Sequence, residues 1–189
     1  MHIYAQNTVG VITYDDQLSA PGYNLFFSHN QSTVYLIDAC GEIAHSWIDD
    51  EDFRPGNAVY LLPNSNLVKC KRGKDSTEGS AIFAGGAGET IEIRSWDNDL
   101  ISSITLNDSI YRLHHDVAPM PNGNILAIAW KAFSRDTVLS LGRIPSSLSA
   151  SKLWSLVILE WDPFIDEIVW EWSALDHVIQ DFDPELKNF

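Results

Sequence analysis

The feature that most constrains this chain is a repeated hairpin pattern: an apolar run, a turn led by an aspartate, and a second apolar run. The three copies are VYLIDACGEIAHSW (34–47), IEIRSWDNDLISSI (91–104) and VILEWDPFIDEIVWEW (157–172). Their turn aspartates, Asp38, Asp97 and Asp162, recur at intervals of about 60 residues. Aspartate suits a turn because its carboxylate accepts a hydrogen bond from the backbone N–H two residues further on. Each copy is therefore predicted to form a β-hairpin.

A second hairpin pattern alternates with the first. NAVYLLPNSNLVKC (57–70) and HDVAPMPNGNILAI (115–128) share an apolar run, Pro-Asn-x-Asn and another apolar run. Proline fixes φ at the start of a turn, and asparagine or glycine tolerates the positive φ that follows. Four strands thus recur every 60 residues or so, which is typical of a β-propeller blade. A β-sandwich is the alternative, but it does not explain why two turn types recur in the same order.

The hairpins account for two four-stranded blades and the start of a third. Because propellers close with roughly four to eight blades, we expect the chain to be the first part of a longer protein. Residues 1–189 are then a single, partial, all-β propeller domain. Open sheet edges favour pairing with further strands, so the partial ring is expected to contact the remaining blades or to self-associate.

Two segments interrupt the pattern. Residues 133–155 are rich in serine and contain Gly-Arg and a proline, which predicts a long inserted loop with one helical turn. Long insertions in compact domains are often functional. Residues 173–183, SALDHVIQDFD, are predicted to form a short helix capped by Ser173.

Charge and hydropathy exclude several classes of partner. The chain has 12 Lys and Arg against 26 Asp and Glu, a net charge of −14, and nucleic acids and anionic membranes bind through clustered basic residues. No apolar run approaches the roughly 20 residues that span a bilayer. The first 16 residues lack the basic start and apolar stretch of a signal peptide. The protein is therefore cytosolic, or its secretory segment lies outside this sequence.

Other site chemistries find no support in the residue spacing. No His, Cys and Asp set has zinc spacing, and Gly85-Gly86-Ala87-Gly88 lacks the Lys-Ser/Thr of a phosphate-binding loop. These glycines are instead predicted to form a tight turn before a strand at 91–95. No metal or cofactor is expected. Cys40 and Cys70 form either a structural disulfide or two buried thiols.

Several short motifs, in one order, carry a family resemblance. They are GYNLFF, TVYLID, GEIAHSW, PGNAVYLLPNSNLV, GGAGETIEI, RLHHDVAPMPNGNILAIAW, EIVWEW and LDHVIQDFDPE, from Gly22 to the C-terminus. The chain resembles the arylsulfotransferase (aryl-sulfate sulfotransferase) family. The resemblance implies a six-bladed propeller that moves a sulfuryl group from an aryl sulfate to a phenol. It also implies a central funnel of histidines and an arginine, with one histidine transiently sulfated, and some of that set beyond residue 189.

The resemblance makes His114, His115 and His177 candidate catalytic residues. Neutral imidazole is nucleophilic near pH 7 and can also carry a proton. Successive side chains of a strand point to opposite faces, so only one of His114 and His115 should face a shared site. His115 is favoured, because it begins a His-Asp pair in which Asp116 can orient an imidazole. The alternative is that both histidines only end a strand before the Asn-Gly hairpin.

Arg112 and Arg143 are the candidate substrate-binding residues. Each can bind a sulfate oxygen, and Arg112 can instead pair with a surface carboxylate. His177 can pair with Asp181, four residues on, if their segment is helical, or the helix can simply present a solvated polar side.

Two functions remain open beside the sulfotransferase. One is a propeller that serves only as a binding or scaffolding module, since fold does not imply function. The other is a partial gene product without activity.

Overall fold

A computed structural model describes residues 11, 13–29, 31–73, 86–148 and 150–189. The strands are β1 (Asn24–Phe27), β2 (Val34–Ile37), β3 (Ile43–Trp47), β4 (Phe53–Leu61), β5 (Leu67–Gly73), β6 (Thr90–Arg94), β7 (Leu100–Thr105), β8 (Tyr111–Pro119), β9 (Ile125–Ser134), β10 (Lys152–Asp162) and β11 (Glu167–Ser173). One α-helix, α1 (Arg135–Ser140), and two 3₁₀ turns, Pro145–Ser147 and Ala174–Asp176, complete the elements of the described residues.

The described strands form three antiparallel sheets, and none of the three is closed on itself. The first sheet contains β1–β3, the second β4–β7 and the third β8–β11, with neighbours in chain order throughout. The prediction of an all-β chain is confirmed, and so are the five predicted hairpins. The arrangement of these sheets as propeller blades stays a prediction.

The turns form by the predicted chemistry, with one exception. Asp38 Oδ1 accepts hydrogen bonds from the backbone N–H groups two and four residues on, each at 2.9 Å. Asp162 Oδ1 accepts one from Phe164 N at 2.9 Å. In the middle copy the hydroxyl of Ser95, rather than Asp97, accepts from Asp99 N at 3.0 Å.

The main core is formed by apolar residues of the second and third sheets. Ile91, Leu113, Val157, Leu159 and Trp161 are all at most 1% exposed and belong to one cluster. A smaller cluster joins the first sheet to β5; its buried members are Val34, Leu36, Trp47 and Leu67. The three sheets therefore pack in sequence, each against the next.

Successive sheets also contact through their hairpin turns. The indole of Trp47, on β3, donates to the Ser95 carbonyl at 3.0 Å, and His45 stacks on Trp96 with ring centroids 4.0 Å apart. Ser102, on β7, donates to the Pro163 carbonyl at 3.1 Å. In both cases the aspartate-led turn of one sheet lies on the last strand of the sheet before it.

A buried cluster of five charged side chains joins the first two sheets, and no sequence pattern had indicated it. Lys69 Nζ lies 2.6 Å from Asp49 Oδ2 and 3.8 Å from Glu92 Oε2, while Arg94 Nε lies 2.7 Å from Glu92 Oε2. Lys71 also pairs with Glu92 and lies over the Phe53 ring. Burial lowers the pKa of Lys69, although its hydrogen bond to Asp49 opposes the shift.

β4 and β8 carry the same irregularity at the same place. Pro55 pairs with Lys71 and Val59 with Lys69, so three residues of β4 (56–58) stand opposite one residue of β5. Leu113 pairs with Ala129 and Val117 with Ala127, so residues 114–116 likewise stand opposite one residue of β9. These two three-residue bulges match the sequence alignment of the two Pro-Asn-x-Asn hairpins.

The bulge in β4 depends on a glycine. A Cβ on Gly56 would lie 2.5 Å from the Cβ of Cys70 and 2.8 Å from its backbone carbon, and neither atom can move independently of β5. We expect Gly56→Ala to lower the free energy of unfolding by about 1–3 kcal/mol, measured by chemical denaturation. Gly123→Ala is the comparison, because open space surrounds that glycine and only its φ of +93° is strained. Equal stability of Gly56→Ala and the parent would contradict this contact.

Two predicted details need correction, and a third lies partly outside the described residues. β9 extends to Ser134 and β10 begins at Lys152, so the insertion predicted over 133–155 is a connection of residues 135–151. The predicted helix over 173–183 is only the 3₁₀ turn Ala174–Asp176, although the Ser173 hydroxyl does cap it. Gly85 lies outside the described residues, while Gly86 adopts a φ of +75° before β6.

Both cysteines are free, and only one is buried as predicted. Cys70 is buried in the main core, and burial raises the pKa of its thiol to about 12. Cys40 is exposed in the turn between β2 and β3.

Candidate functional site

The bulge in β8 presents His114, His115 and Asp116 outside the regular hydrogen-bond ladder. His115 has a φ of +56°, in the left-handed region that residues other than glycine seldom adopt. Such strain is often found at functional sites, where the surrounding structure maintains it.

The two imidazoles contact each other. Their Nδ1 atoms lie 2.9 Å apart, and their rings are nearly perpendicular, at 89°. The prediction that the side chains point to opposite faces is therefore wrong. The bulge and the positive φ of His115 interrupt the alternation of side chains along the strand. They place the His115 ring on the same side as the His114 ring.

His114 is the buried member of the pair. It is 7% exposed and stacks on Trp130, with ring centroids 4.0 Å apart and planes 26° apart. Burial lowers the pKa of His114 to about 4, and a charge on His115 adds to this shift. At pH 7 the ring is therefore neutral, and one hydrogen is shared between the two Nδ1 atoms. In the described part of the chain, its Nε2 has no hydrogen-bond partner.

His115 is exposed and lies against Gly86. Its backbone N–H donates to the Gly86 carbonyl at 2.7 Å, and the side-chain amide of Asn57 donates to the same oxygen. A Cβ on Gly86 would lie 2.5 Å from Nε2 of His115. The two bulges thus hold one carbonyl between them, and the absence of a side chain at Gly86 leaves room for the Nε2 edge of the His115 ring.

Asp116 orients a phenol rather than an imidazole. Its Oδ1 accepts from the Tyr60 hydroxyl at 2.9 Å and from Val117 N at 2.8 Å. That hydrogen bond raises the pKa of Tyr60, so the phenol remains protonated at neutral pH. The expectation that Asp116 orients an imidazole finds no matching hydrogen bond among the described residues.

Arg112 pairs with a carboxylate. Its side chain is 2% exposed, Nη1 lies 3.6 Å from Glu89 Oε1, and Nη1 also donates to Asn107. Burial lowers the pKa of Arg112, against the attraction of Glu89. Of the two readings of Arg112, this contact corresponds to the carboxylate pair, but Glu89 is half-buried rather than on the surface.

Arg143 and His177 lie apart from the histidine pair. Arg143 is exposed, donates to the Ser147 hydroxyl at 3.0 Å, and lines a cavity of about 610 Å³. The wall of that cavity comes from the 135–151 connection, β10 and residues 175–182. His177 stacks on Trp172 at 4.8 Å, and because its segment is not helical the predicted pairing with Asp181 does not form.

Sequence reasoning missed four residues of this site: Asn57, Tyr60, Gly86 and Trp130. The alignment of the two Pro-Asn-x-Asn hairpins places Asn57 at the position equivalent to His115, and this equivalence could have identified Asn57. The other three come from different elements, and no local pattern connects them with the histidines.

Among the described residues, no three His, Cys, Asp or Glu side chains form a group suited to a metal ion. No helix there is long and apolar enough to cross a membrane.

Comparison with known proteins leaves the family open. The chain matches no protein-family model and no curated protein sequence.

Proposed function

We propose that this chain belongs to an aryl-sulfate sulfotransferase, and that His115 receives the sulfuryl group. The observation that carries the proposal is an exposed imidazole hydrogen-bonded through Nδ1 to a buried, neutral imidazole. The motifs that resemble the arylsulfotransferase family include both of these histidines.

The same proposal includes a propeller arrangement of the sheets. Each four-stranded sheet is a meander in chain order, and β4 and β8, the first strands of successive sheets, contact each other. Their matching bulges place Asn57 and His115 at equivalent positions on adjoining strands. Such strands would line the axis of a propeller, where ligands commonly bind.

Nε2 is the nitrogen of His115 suited to attack sulfur. Nδ1 is engaged with His114, whereas Nε2 lies beside Gly86, at the other edge of the ring of an exposed residue. With the shared hydrogen on His115 Nδ1, the Nε2 lone pair is available. As positive charge develops on the His115 ring, His114 Nδ1 accepts the hydrogen bond from His115 Nδ1 and stabilises that charge. A hydrogen-bond partner on the second nitrogen of a reacting histidine commonly has this effect.

The transfer would proceed in two displacements. The Nε2 lone pair forms an N–S bond, and the bond from sulfur to the aryl oxygen breaks, so that its electron pair leaves on the phenolate, which takes a proton from water. A phenol acceptor then loses its proton to water and attacks sulfur, and the N–S bond breaks with its pair returning to Nε2. Tyr60, on the neighbouring strand, donates its hydroxyl hydrogen to Asp116 and so fixes that carboxylate beside the histidine pair.

His115→Ala tests this function directly. The protein, with any blades that follow residue 189, is incubated with a chromogenic aryl sulfate and a phenol, and phenol release is followed together with protein mass. We expect the parent to gain one SO₃ group and to turn over, and His115→Ala to lose the adduct and at least about a hundredfold in rate. The control is His29→Gln, which changes an exposed histidine outside the site.

An unchanged rate in His115→Ala would refute the assignment of the nucleophile. Gly86→Ala provides a second test, because its Cβ would cover Nε2 while both imidazoles remain. We expect it to lose the adduct as well.

A binding module is the second candidate, and one observation favours it. Arg112 is held by Glu89 and Asn107, and Arg143 lies at another cavity, so neither guanidinium joins the histidine pair. An aryl sulfate that binds the parent without adduct or turnover would support a module that recognises the anion without transferring it.

A further inference from the structure

We propose that this chain associates head to tail, with the Asp38–Glu42 turn of one copy docked on β11 of the next. Trp170 is the main contact on the receiving strand. The inference goes beyond the proposed function and concerns residues 1–189 as a chain, since in the proposed propeller a following blade would compete for the same strand.

The contact between the first two sheets gives the pattern. The 95–99 turn of the second sheet lies on β3 of the first. His45 Nε2 donates to the Trp96 carbonyl at 2.7 Å, and Asn98 donates back to the Ile48 carbonyl at 2.7 Å. Trp47 also packs edge-on against Trp96, with centroids 5.4 Å apart.

The contact between the second and third sheets repeats it. Here the turn that follows Asp162 lies on β7, and the Ser102 hydroxyl donates to the Pro163 carbonyl at 3.1 Å. In both sheets, a side chain of the last strand donates to a carbonyl next to the turn aspartate.

The donating residues occupy one register position. His45 pairs with Leu36 and Ser102 pairs with Ile93, in each case directly beside a one-residue irregularity of the last strand. In the third sheet the same position belongs to Trp170, which pairs with Glu160 beside the corresponding irregularity. Trp170 is thus equivalent to the two residues that already receive a turn.

Trp170 itself receives no turn within the described chain. It is 47% exposed, its neighbour Val169 is 46% exposed, and no hydrogen bond from another sheet reaches its indole among the described residues. A half-exposed tryptophan offers a large apolar face and one N–H donor, which is the combination found at the centre of many interfaces.

The first sheet carries the complementary element. Its aspartate-led turn, 38–42, has the same Asx geometry as the turn after Asp162. Among the described residues its hydrogen bonds are all internal to the turn or close its own hairpin. The described sheets therefore offer one receiving strand and one unused turn, at opposite ends of the series. Such a pair forms a head-to-tail interface, which either closes into a ring or continues.

The association can be measured by sedimentation of the purified chain over a range of concentrations. We expect the parent to increase in mass with concentration, and Trp170→Glu to weaken the association by about tenfold or more. Leu18→Glu is the matched control, because it adds the same charge at a side chain that is 86% exposed, and it should associate as the parent does. A parent that stays monomeric at every concentration, or a Trp170→Glu variant that associates normally, would overturn the proposal.

Cross-linking locates the interface even if Trp170→Glu fails to fold. Cys40 is exposed at the tip of the docking turn, whereas Cys70 is buried. In Val169→Cys a short bis-maleimide should join two copies, and the product should disappear when Cys40 is also changed to serine. Cross-linked dimers that persist without Cys40 would show a different interface and refute this one.

Discussion

Glu92→Gln is expected to lower the free energy of unfolding by about 3–5 kcal/mol, the usual cost of breaking a buried ion pair from one side. Glu92 is 2% exposed and receives Arg94 Nε at 2.7 Å, with Lys71 paired to its other oxygen. Burial alone would raise the pKa of Glu92, but the hydrogen bonds from Arg94 and Lys71 outweigh it and lower the pKa. The amide would leave three buried or half-buried cations with Asp49 as their remaining carboxylate. Chemical denaturation at pH 7 measures the loss.

Two further variants separate this effect from a general sensitivity to charge. Glu185→Gln removes an exposed carboxylate and should change stability by less than about 0.5 kcal/mol. Adding Lys71→Met to Glu92→Gln should recover part of the loss, because it removes one of the cations left without its partner. Additive losses in the double variant would show that the two side chains act independently and would contradict a shared cluster.

Acid is expected to destabilise the protein through His114. Its pKa is lowered from 6.5 to about 4 in the folded chain, mainly by burial. The unfolded chain therefore binds a proton on this ring first as the pH falls. The part of the free energy of unfolding that depends on a neutral His114 is complete above pH 6.5. It is lost progressively as the pH falls to about 4, in total about 3 kcal/mol.

The difference between the parent and His114→Phe isolates this contribution from the carboxylates, which titrate in both proteins. Phenylalanine preserves the stacking on Trp130 but has no proton to bind. We expect the stability of the parent relative to His114→Phe to decline between pH 6.5 and pH 4, measured by urea denaturation at each pH. His177→Phe changes an exposed ring, and its stability should fall between pH 6.5 and pH 4 as much as that of the parent. A constant difference between parent and His114→Phe across this range would show that the ring is not held neutral.

Turn chemistry and hydrophobic periodicity are local properties, and they predicted the five hairpins. Turns are marked by Pro63, by Asn122-Gly123 and by Asp38 and Asp162, because their side chains or φ preferences act within a few residues. The buried charge cluster could not be predicted in this way. Asp49, Lys69 and Glu92 come from three different segments, and each appears in the sequence as an ordinary solvated charge.

The candidate site was predicted in part. The pair His114-His115 was visible as a sequence motif at the start of the second Pro-Asn-x-Asn hairpin. The contact between the two rings was not visible, because alternation along a strand predicts opposite faces. Only the bulge, with His115 at positive φ, reverses that expectation, and a three-residue bulge opposite Ile128 leaves no sequence pattern of its own.

The matching bulges in β4 and β8 have a consequence for how such a site can change. Pairing of β4 with β5 and of β8 with β9 stops before residues 56 and 114 and resumes after residues 58 and 116, so neither triplet sets the register of its own hairpin. His114 instead bridges Ala87, which precedes β6. Gly56-Asn57-Ala58 and His114-His115-Asp116 therefore occupy equivalent positions with different packing, Gly56 against Cys70 and His114 against Trp130. New chemistry can enter this scaffold three residues at a time while the hairpins around it keep their register.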